Sequence, residues 1–380
     1  MPPKLFIASG IYPPESGGPA TYLKELLPEL HARGWEIRVL TYADQPAVSL
    51  EPYPVTRILR ERLPVRLWRY ARAARSLLEW ADLVYQHTLG LPLIGSRTPP
   101  RVAKIVGDLA WERSIRRGWI APTMDIDIFQ TTRTTAQAEY AKVSRAREVR
   151  HLNGVIVPSQ YLKRMVMGWG AAEAAIEVIY NALPPQNEAL AISQAEARQQ
   201  LDLPDAPMLL TVGRLVPWKG VDHLITALSR ANVPDLRLIV AGDGDALPQL
   251  QAQAEALGMG GRVRFLGRVG REQMPIWMKA ADYLALYSGY EGLSHTLLES
   301  LRVGTPVIAS DKGGNPEVVH HGVNGLLVPY VDVDALTAAL ETAFQPGMRD
   351  RLAEHHALGM ERFDFNTMID HTERVLKTYL

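Results

Sequence analysis

Residues 4–42 read "KLFIASGIYPPESGGPATYLKELLPELHARGWEIRVLTY". The opening residues have the apolar character of a strand, and a loop rich in glycine and proline follows them. An amphipathic helix over "TYLKELLPELHARG" and a second strand over residues 35–42 complete the stretch. Strand, loop, helix and strand in this order predict a βαβ unit, whose right-handed crossover implies a parallel sheet.

The same alternation continues along the chain. Further strands are predicted over residues 83–87, 102–108, 154–159, 176–182, 207–215, 236–244, 262–269, 282–288, 305–310 and 324–329. Helix-like runs separate them, which predicts two doubly wound α/β domains with a linker near residues 181–189. We assign residues 1–183 to the first domain, 184–360 to the second, and 361–380 to a C-terminal helix that crosses back to the first.

Length and composition agree with a two-domain enzyme. A chain of 380 residues is too long for one ordinary hydrophobic core. It has no cysteine, which excludes disulfides and thiolate metal sites. The apolar runs are far shorter than the roughly 20 residues that span a bilayer, and the N-terminus does not resemble a signal peptide. We therefore expect a cytoplasmic protein.

Open parallel sheets bind ligands beyond the carboxyl ends of their strands. With two such sheets in the chain, we expect the active site in a cleft between the domains. Basic residues outnumber acidic ones by 24 to 17 in residues 1–183, and acidic residues outnumber basic ones by 24 to 17 in the remainder. The two domains are therefore expected to face different partners.

"YEGLSHTLLESL", residues 290–301, carries two carboxylates eight positions apart. Eight positions along a helix correspond to about 12 Å, so Glu291 and Glu299 are expected to hold different parts of one long ligand. With Ser294 as N-cap, the backbone N–H groups of residues 292–294 lie at the positive end of the helix dipole, where anions bind. The order carboxylate, anion site, carboxylate matches the sugar hydroxyls, diphosphate and ribose hydroxyls of a nucleotide sugar.

"VGRLVPWKG", residues 212–220, places Arg214 and Lys219 on a loop that ends a predicted strand. Two cations on one such loop would reach the same diphosphate. They would also neutralise the charge that develops on a departing nucleoside diphosphate.

Several of these segments resemble one known family. "GRLVPWKG", "AGDGD", "RVRFLGRV" and "SGYEGLSHTLLESLRVGTPVIASDKGGNPEVVHHGVNGLLV" are similar to the nucleotide-binding half of glycosyltransferase family 4, retaining enzymes of the GT-B fold. That match spans about residues 207–330. The first half resembles the family more loosely, through "SGG" (16–18), "VGDLAWE" (106–112), "VIVPSQYLK" (155–163) and "VIYNAL" (178–183). The resemblance implies two Rossmann-like, doubly wound domains that face a central cleft.

The resemblance also implies an activity and a set of site residues. The activity is transfer of a hexose, with retention, from a UDP- or GDP-sugar to a carbohydrate or lipid-linked acceptor. Arg214 and Lys219 would bind the donor diphosphate and Glu291 the donor sugar. The residues assigned to donor binding are Gly17, Gly18, Gly213, Gly242, Val269, Gly292, Leu293, Ser294 and Glu299, with Glu299 on the ribose and the backbone near Val269 on the base.

The first domain departs from the family pattern at one position. Many relatives carry a histidine where this chain has Gly107, and that histidine is thought to contact the donor sugar. Asp108, the next residue, or His87, at the end of the preceding predicted strand, is expected to replace this catalytic contact. Gly17 and Gly18 are expected to approach the diphosphate or the acceptor.

No metal or other cofactor is expected. The Asp-x-Asp pattern by which other glycosyltransferases hold a metal occurs at residues 125–127, 243–245 and 332–334, in three unrelated contexts. The cations Arg214 and Lys219 would already supply the positive charge that a metal provides.

Residues 56–80 hold seven arginines at helix-like spacing, with leucine, tryptophan and tyrosine between them. A solvated helix is one reading. The other is a peripheral contact, from Arg57 to Arg75, with the anionic inner surface of a membrane that carries a lipid-linked acceptor. Nucleic acid is not an expected partner, because no recognisable binding module surrounds the segment.

Other functions remain open at this point. A GT-B nucleotide-sugar epimerase or a non-catalytic sugar-nucleotide-binding protein would need a similar site. A dinucleotide-dependent oxidoreductase is suggested by "GDGDAL", but Leu247 stands where the fingerprint requires its third glycine.

Overall fold

The computed structural model describes residues 1–15, 17–46, 51–185 and 192–380. Ser16 of the "SGG" segment and residues 186–189 of the predicted linker lie outside these ranges. The chain forms two compact units. The first unit contains Met1–Ile120, Gln130–Pro184 and Phe363–Leu380, and the second contains Ala121–Phe129 and Pro185–Arg362.

The strands follow the apolar runs of the sequence. In chain order the described strands are β1 (Lys4–Ala8), β2 (Glu36–Ala43), β3 (Val55–Leu59), β4 (Leu83–Gln86), β5 (Arg101–Lys104), β6 (Gly154–Val157), β7 (Ile176–Val178), β8 (Met208–Val212), β9 (Arg237–Ala241), β10 (Val263–Gly267), β11 (Tyr283–Leu286), β12 (Val307–Ser310) and β13 (Gly325–Val328).

Helices separate most of these strands. In chain order the described α-helices are α1 (Gly18–Ala32), α2 (Leu63–Trp80), α3 (Leu109–Arg116), α4 (Ile126–Thr131), α5 (Ala136–Arg150), α6 (Gln160–Gly168), α7 (Gln194–Gln200), α8 (Val221–Arg230), α9 (Leu247–Ala256), α10 (Met274–Ala280), α11 (His295–Arg302), α12 (Val333–Ala343), α13 (Met348–Ala353) and α14 (Phe365–Thr378).

The first unit is built on a seven-stranded parallel sheet in the order β3-β2-β1-β4-β5-β6-β7. Successive residues of β1 point to opposite faces, as the pleat requires. Leu5 and Ile7 join a core that also contains residues of α1 and α14, whereas Phe6 and Ala8 pack with residues of α2. Helices therefore cover both faces, which is why the strand is apolar at every position from Leu5 to Ala8.

The C-terminal helix α14 is part of the first unit's core. Indole Nε1 of Trp35 donates to Oε1 of Glu373 at 3.0 Å, and Arg33 contributes an ion pair to Oε2 of the same carboxylate at 3.1 Å. Tyr22 and Thr372 share a hydroxyl–hydroxyl hydrogen bond of 3.1 Å. These buried polar contacts fix how α14 lies on α1, since each would leave an unpaired group if the helix detached.

The division between the units differs from the predicted domains at one segment. The chain passes from the first unit to the second between Pro184 and Pro185, close to the predicted boundary after residue 183. Ala121–Phe129, however, belongs to the second unit, although it lies within the half of the sequence assigned to the first domain. Its contacts there are formed with residues distant in the sequence, which no local pattern reveals.

The second unit contains a six-stranded parallel sheet in the order β10-β9-β8-β11-β12-β13. Leu209, Leu238 and Ile308 of this sheet pack with residues of α8, α9 and α12 in one buried core. The predicted α/β class with two doubly wound parallel sheets is thereby confirmed. In both sheets the strand order reverses beside the first strand, the position at which doubly wound sheets bind ligands.

Candidate functional site

The loops that follow β8 and β11 in the second unit lie side by side, because β8 and β11 are hydrogen-bonded neighbours. The backbone N–H of Gly289 donates to the carbonyl oxygen of Trp218 at 2.8 Å. Across this junction Nζ of Lys219 lies 2.5 Å from Oε1 of Glu291, and the two side chains are only 21% and 14% exposed. The structure therefore brings together two residues that were singled out separately in the sequence. Arg214 lies exposed on the same loop as Lys219.

Helix α11 begins where the sequence predicts. Oγ of Ser294 accepts a hydrogen bond from the backbone N–H of Leu297 at 3.4 Å, so Ser294 is the N-cap. Glu291 lies in the loop before the helix and Glu299 in its second turn. Burial raises the pKa of Glu299, and the positive charges of Arg271 and Arg302 partly offset this rise.

Two glycines that the sequence analysis quoted but gave no role support the Glu291 loop. The backbone N–H of Gly314 donates to the carbonyl oxygen of Glu291 at 2.8 Å. A Cβ at Gly313 would collide with that carbonyl oxygen, and a Cβ at Gly314 would collide with the carbonyl oxygen of Gly292. In the sequence, the adjacent glycines at 313–314 could have indicated this contact, because two glycines in a row often mark a place where two backbone segments approach closely.

Gly213 and Gly242, assigned to donor binding, lie against each other. The position of a Cβ on Gly242 is already occupied by the carbonyl oxygen of Gly213. The backbone N–H of Gly242 donates to the carbonyl oxygen of Gly267 at 2.8 Å. These glycines allow the loops after β8, β9 and β10 to pack together. Val269 follows β10 at the same edge of the sheet and is half-buried.

In the first unit, Asp108 has a structural setting. The residue is fully buried, and Oδ1 accepts the backbone N–H groups of Ala110 at 2.9 Å and Trp111 at 3.3 Å, which caps α3. Oδ2 forms an ion pair with Arg145 and accepts from Nε2 of Gln130 at 3.0 Å. Both oxygens are therefore occupied by the protein, and the geometry favours support of α3 over contact with a donor sugar.

His87 is also buried, at 5% exposed. Its ring meets Tyr85 edge-on at 4.3 Å and Tyr22 at 5.5 Å between centroids. Burial, aided by the charge of Lys104, lowers the pKa of His87 well below its ordinary value. The imidazole is thus neutral and enclosed by aromatic rings, a setting that favours a packing role over catalysis.

Lys104, at the end of β5, was not considered in the sequence analysis. It is 2% exposed, and its Nζ lies 3.8 Å from the centroid of the Tyr22 ring. Within the described ranges Nζ has no hydrogen-bond acceptor. Burial lowers the pKa of this amine to about 7. A lysine inside the otherwise apolar run "VAKIV" was the signal in the sequence.

The loop after β1 leads to Gly17 and Gly18, where α1 begins. The backbone N–H of Gly10 donates to Oγ1 of Thr88 at 2.9 Å, and Arg60 donates from Nη2 to the carbonyl oxygen of Gly10 at 2.8 Å. The loop that leads to both predicted glycines is therefore held by side chains that follow β4 and β3 of the same sheet.

The arginine-rich segment is not one helix, which corrects the predicted patch from Arg57 to Arg75. Arg57 lies on β3, is 8% exposed, and donates to the carbonyl oxygen of Pro13 at 2.8 Å. The spacing of the arginines suggested a helix, but Pro64 places the start of α2 at Leu63. Only the arginines from Arg62 onward therefore belong to the helical surface.

The solvent-facing side of α2 combines positive charge with apolar side chains. Trp68 is 60% and Val65 39% exposed. Arg72 lies 5.5 Å from the Trp68 ring, and Arg75 extends the same face one turn further, since residues three or four apart are neighbours on a helix. We call the surface formed by Val65, Trp68, Arg72 and Arg75 the α2 face.

The described residues provide neither a cluster of metal ligands nor a helix suited to span a membrane. Across residues 1–15, 17–46, 51–185 and 192–380, no three histidine, cysteine or acidic side chains are placed to bind one metal ion. In the same part of the chain, no helix combines the length and apolar character needed to cross a bilayer.

Comparison with known families covers both units. The sequence model of Glycosyl transferases group 1 matches residues 193–356, and that of Glycosyltransferase Family 4 matches residues 16–187. The chain belongs to the family 4 glycosyltransferases. The resemblance stated from its motifs is thus confirmed for both halves.

Among curated relatives of this glycosyltransferase is the GDP-mannose-dependent alpha-(1-6)-phosphatidylinositol monomannoside mannosyltransferase of Mycolicibacterium smegmatis. The two are 28% identical over 88% of each chain. A D-inositol 3-phosphate glycosyltransferase of Streptomyces avermitilis is 27% identical over 95% of this chain and 83% of its own.

Solved structures share the fold of this glycosyltransferase. A sucrose-phosphate synthase from Thermosynechococcus elongatus superposes with a TM-score of 0.81 at 22% identity, over 99% of this chain and 98% of its own. HepE of Anabaena, in complex with UDP and glucose, superposes with a TM-score of 0.76 at 23% identity, over 99% of each chain. The GT-B fold is therefore confirmed.

Proposed function

We propose that this glycosyltransferase moves a hexose, with retention of configuration and without a metal ion, from a UDP- or GDP-sugar to a carbohydrate or lipid-linked acceptor. The observation that carries the proposal is the Lys219–Glu291 ion pair at the junction of the β8 and β11 loops. It places a cation for the diphosphate directly beside a carboxylate for the sugar.

The diphosphate would bind to Lys219 and Arg214. An ammonium has three N–H donors, so its bond to Glu291 leaves capacity for phosphate oxygens. As the bond to the sugar breaks, negative charge accumulates on the departing nucleoside diphosphate, and two cations stabilise it without a divalent metal. The backbone N–H groups that precede α11 add to the same field.

The sugar and the ribose would bind on either side of this anion site. Glu291, before α11, would accept hydroxyl donors of the sugar, and Glu299, in the second turn, those of the ribose. Burial raises the pKa of Glu299, but Arg271 and Arg302 limit this rise. The carboxylate can therefore remain ionised and accept hydrogen bonds from the ribose hydroxyls. Backbone near Val269 would contact the base.

Relatives support both donor nucleotides and a lipid-linked acceptor. The Mycolicibacterium relative is named for GDP-mannose and for a phosphatidylinositol monomannoside, whereas HepE was crystallised with UDP-glucose. We therefore propose a nucleotide sugar of one of these two classes. Retention follows from the family resemblance and would be checked from the anomeric configuration of the product.

We further propose that this glycosyltransferase is a cytoplasmic protein that contacts the inner membrane surface through the α2 face. Exposed Trp68 and Val65 supply apolar area, and Arg72 and Arg75 supply charge of the sign that anionic lipids attract. Such a contact would bring the enzyme to an acceptor that is itself anchored in the bilayer.

The test compares Glu291→Gln with Lys219→Ala. Glu291→Gln should bind nucleoside diphosphate nearly as the wild type does, because Lys219 remains, yet lose at least about a hundredfold in kcat. Lys219→Ala should lose both binding and turnover. Binding would be measured by calorimetry and turnover by release of nucleoside diphosphate with and without acceptor.

The same assay separates the alternatives. Wild-type turnover by Glu291→Gln would contradict the role of that residue. Conversion of the nucleotide sugar to its epimer would indicate an epimerase, and tight binding without turnover of any donor would indicate a binding protein.

A further inference from the structure

Lys312, on the loop after β12, forms an ion pair with Asp125. Nζ lies 2.9 Å from Oδ2, and the side chains are 29% and 20% exposed. Asp125 belongs to the segment of the first half that folds into the second unit. Its Oδ1 accepts the backbone N–H groups of Asp127 at 2.8 Å and Ile128 at 3.1 Å. One carboxylate thus joins the first turn of α4 to the loop that carries Lys312.

The residues that follow Lys312 lie directly against the backbone of Glu291. Gly314 donates its N–H to the Glu291 carbonyl at 2.8 Å, and Gly313 approaches that carbonyl so closely that a Cβ would collide with it. Backbone segments packed this tightly cannot shift independently. The place of Lys312 therefore constrains the place of Glu291.

Both members of the pair keep their charge near neutral pH. Burial acts to raise the pKa of Asp125, but the ion pair with Lys312 and two backbone N–H donors outweigh it and hold the pKa below its ordinary value. Burial acts to lower the pKa of Lys312, but Asp125 outweighs it and raises that pKa. The electrostatic link is thus present throughout the range in which the enzyme would work.

We propose that Asp125 and Lys312 are positioning residues for Glu291. The ion pair fixes the loop of residues 311–315, and that loop fixes the backbone from which the Glu291 carboxylate projects. The inference rests on the proposed function, which gives this carboxylate a sugar to contact. In this proposal the pair acts through Glu291 and not on the nucleotide, so its loss lowers kcat more than nucleotide binding, for which Arg214 and Lys219 remain.

Two variants remove the charge and little else. Asp125→Asn retains an oxygen that accepts from the α4 backbone, and Lys312→Met retains the apolar stem. We expect each to lower kcat about tenfold or more, because a small displacement of a reacting group costs that much. The dissociation constant for nucleoside diphosphate should stay near that of the wild type, and Lys312→Arg should restore most of kcat.

Asp205→Asn is the matched control. Asp205 belongs to the same unit and forms an ion pair with Arg198 at 3.0 Å, but its side chain is fully exposed. We expect this variant to keep a kcat close to that of the wild type. A loss in Asp205→Asn equal to that in Asp125→Asn would overturn the proposal, because the effect would then depend on net charge alone.

Hydrogen exchange of residues 288–294 provides a readout that is independent of turnover. Faster exchange in Asp125→Asn and Lys312→Met, with lower kcat, would support the proposal. If the variants exchange faster but the wild-type protein turns over no nucleotide sugar, the link between the loops would stand and the proposed function would be overturned. Unchanged exchange, or faster exchange with an unchanged kcat, would overturn the positioning role.

Discussion

The buried amine of Lys104 lowers the stability of the folded state. Its amine is enclosed, with the Tyr22 ring 3.8 Å from Nζ, and burial lowers its pKa from 10.5 to about 7. On folding at neutral pH, the Lys104 amine must either release its proton or remain charged without a hydrogen-bond acceptor. Each alternative disfavours the folded state. The ring provides part of the compensation through a cation–π contact.

This cost depends on pH, and its sign follows from the two pKa values. Between about pH 7 and 10.5 the unfolded chain holds a proton on Lys104 that the folded chain has lost. Stability therefore rises with pH through this window, and the full cost applies below it. We predict that Lys104→Met increases the free energy of unfolding at pH 7, by the order of a few kcal/mol.

Chemical denaturation of Lys104→Met and wild type at several pH values measures this effect. The gain should shrink steadily as the pH is raised from 7 toward 10.5. Comparison at each pH removes the contribution of the buried tyrosines, which titrate in both proteins. A variant that is less stable than wild type at pH 7 would show that the amine has a partner that stabilises it.

Asp108 provides the opposite case, a buried charge with every acceptor site used. It caps α3 and pairs with Arg145, whose guanidinium lies 4.1 Å from the Trp169 ring. We predict that Asp108→Ala destabilises the protein by about 3–5 kcal/mol, because it leaves Arg145 buried without a counter-charge. Urea denaturation measures the loss.

Asp108→Asn is the informative companion to that variant. It keeps the cap but removes the charge, so we expect an intermediate loss of stability. The opposite outcome is an Asp108→Ala variant that unfolds at the same urea concentration as the wild type and yet loses turnover. That result would support the catalytic role that the sequence suggested for Asp108 and contradict the structural role.

At the scale of elements, helix α2 buries one side in the first unit and exposes the other to solvent. Tyr70, Ala74 and Leu78 are buried against the first unit's sheet, whereas the α2 face is exposed. We predict that the triple variant Trp68→Ala, Arg72→Gln, Arg75→Gln binds anionic vesicles at least about tenfold more weakly, since each basic residue near a charged bilayer contributes about 1 kcal/mol.

Vesicle co-sedimentation measures this binding, with Arg116→Gln, Arg117→Gln as the matched control. Both control residues are exposed arginines of the same unit outside the α2 face. The wild-type binding should weaken as salt is raised and be absent from vesicles of neutral lipid. Equal loss in the control would show that net charge, and not the α2 face, determines binding. Equal binding to neutral vesicles would contradict the role given to Arg72 and Arg75.

The elements were predictable from local patterns to different degrees. Strands β8, β9 and β12 lie within the predicted ranges because buried parallel strands are continuous apolar runs. Strand β3 was missed, because its Arg57 fell into a helix-like series of arginines. Ser294 was predictable as an N-cap, since caps depend on the chemistry of a few adjacent residues.

The candidate site was predictable only in part. Lys219 and Glu291 were found from motif chemistry, but their direct contact depends on which strands are neighbours in the sheet. The hydrogen-bond acceptors of Asp108 are fully used only because Arg145, 37 residues away, pairs with it. The proposed positioning of the Glu291 backbone likewise depends on Asp125, in a distant part of the chain. Contacts of this kind follow from tertiary packing, which local propensity does not encode.

At the scale of the whole molecule, each unit is assembled from separated parts of the chain. The first unit takes α14 into its core, and the second takes the segment that carries Asp125. The residues proposed to bind the donor nucleotide, Arg214, Lys219 and Glu299, all belong to the second unit. This unit should therefore account for nucleotide affinity.

Calorimetric titration with UDP, GDP, ADP, CDP and NAD, with EDTA present throughout, tests the central proposal most directly. We predict a clear preference for UDP or GDP without metal, and a dissociation constant raised at least about tenfold in Lys219→Ala, as expected when a charge-assisted contact to phosphate is lost. Binding of NAD alone, of no nucleotide, or only after a divalent metal is restored would contradict it.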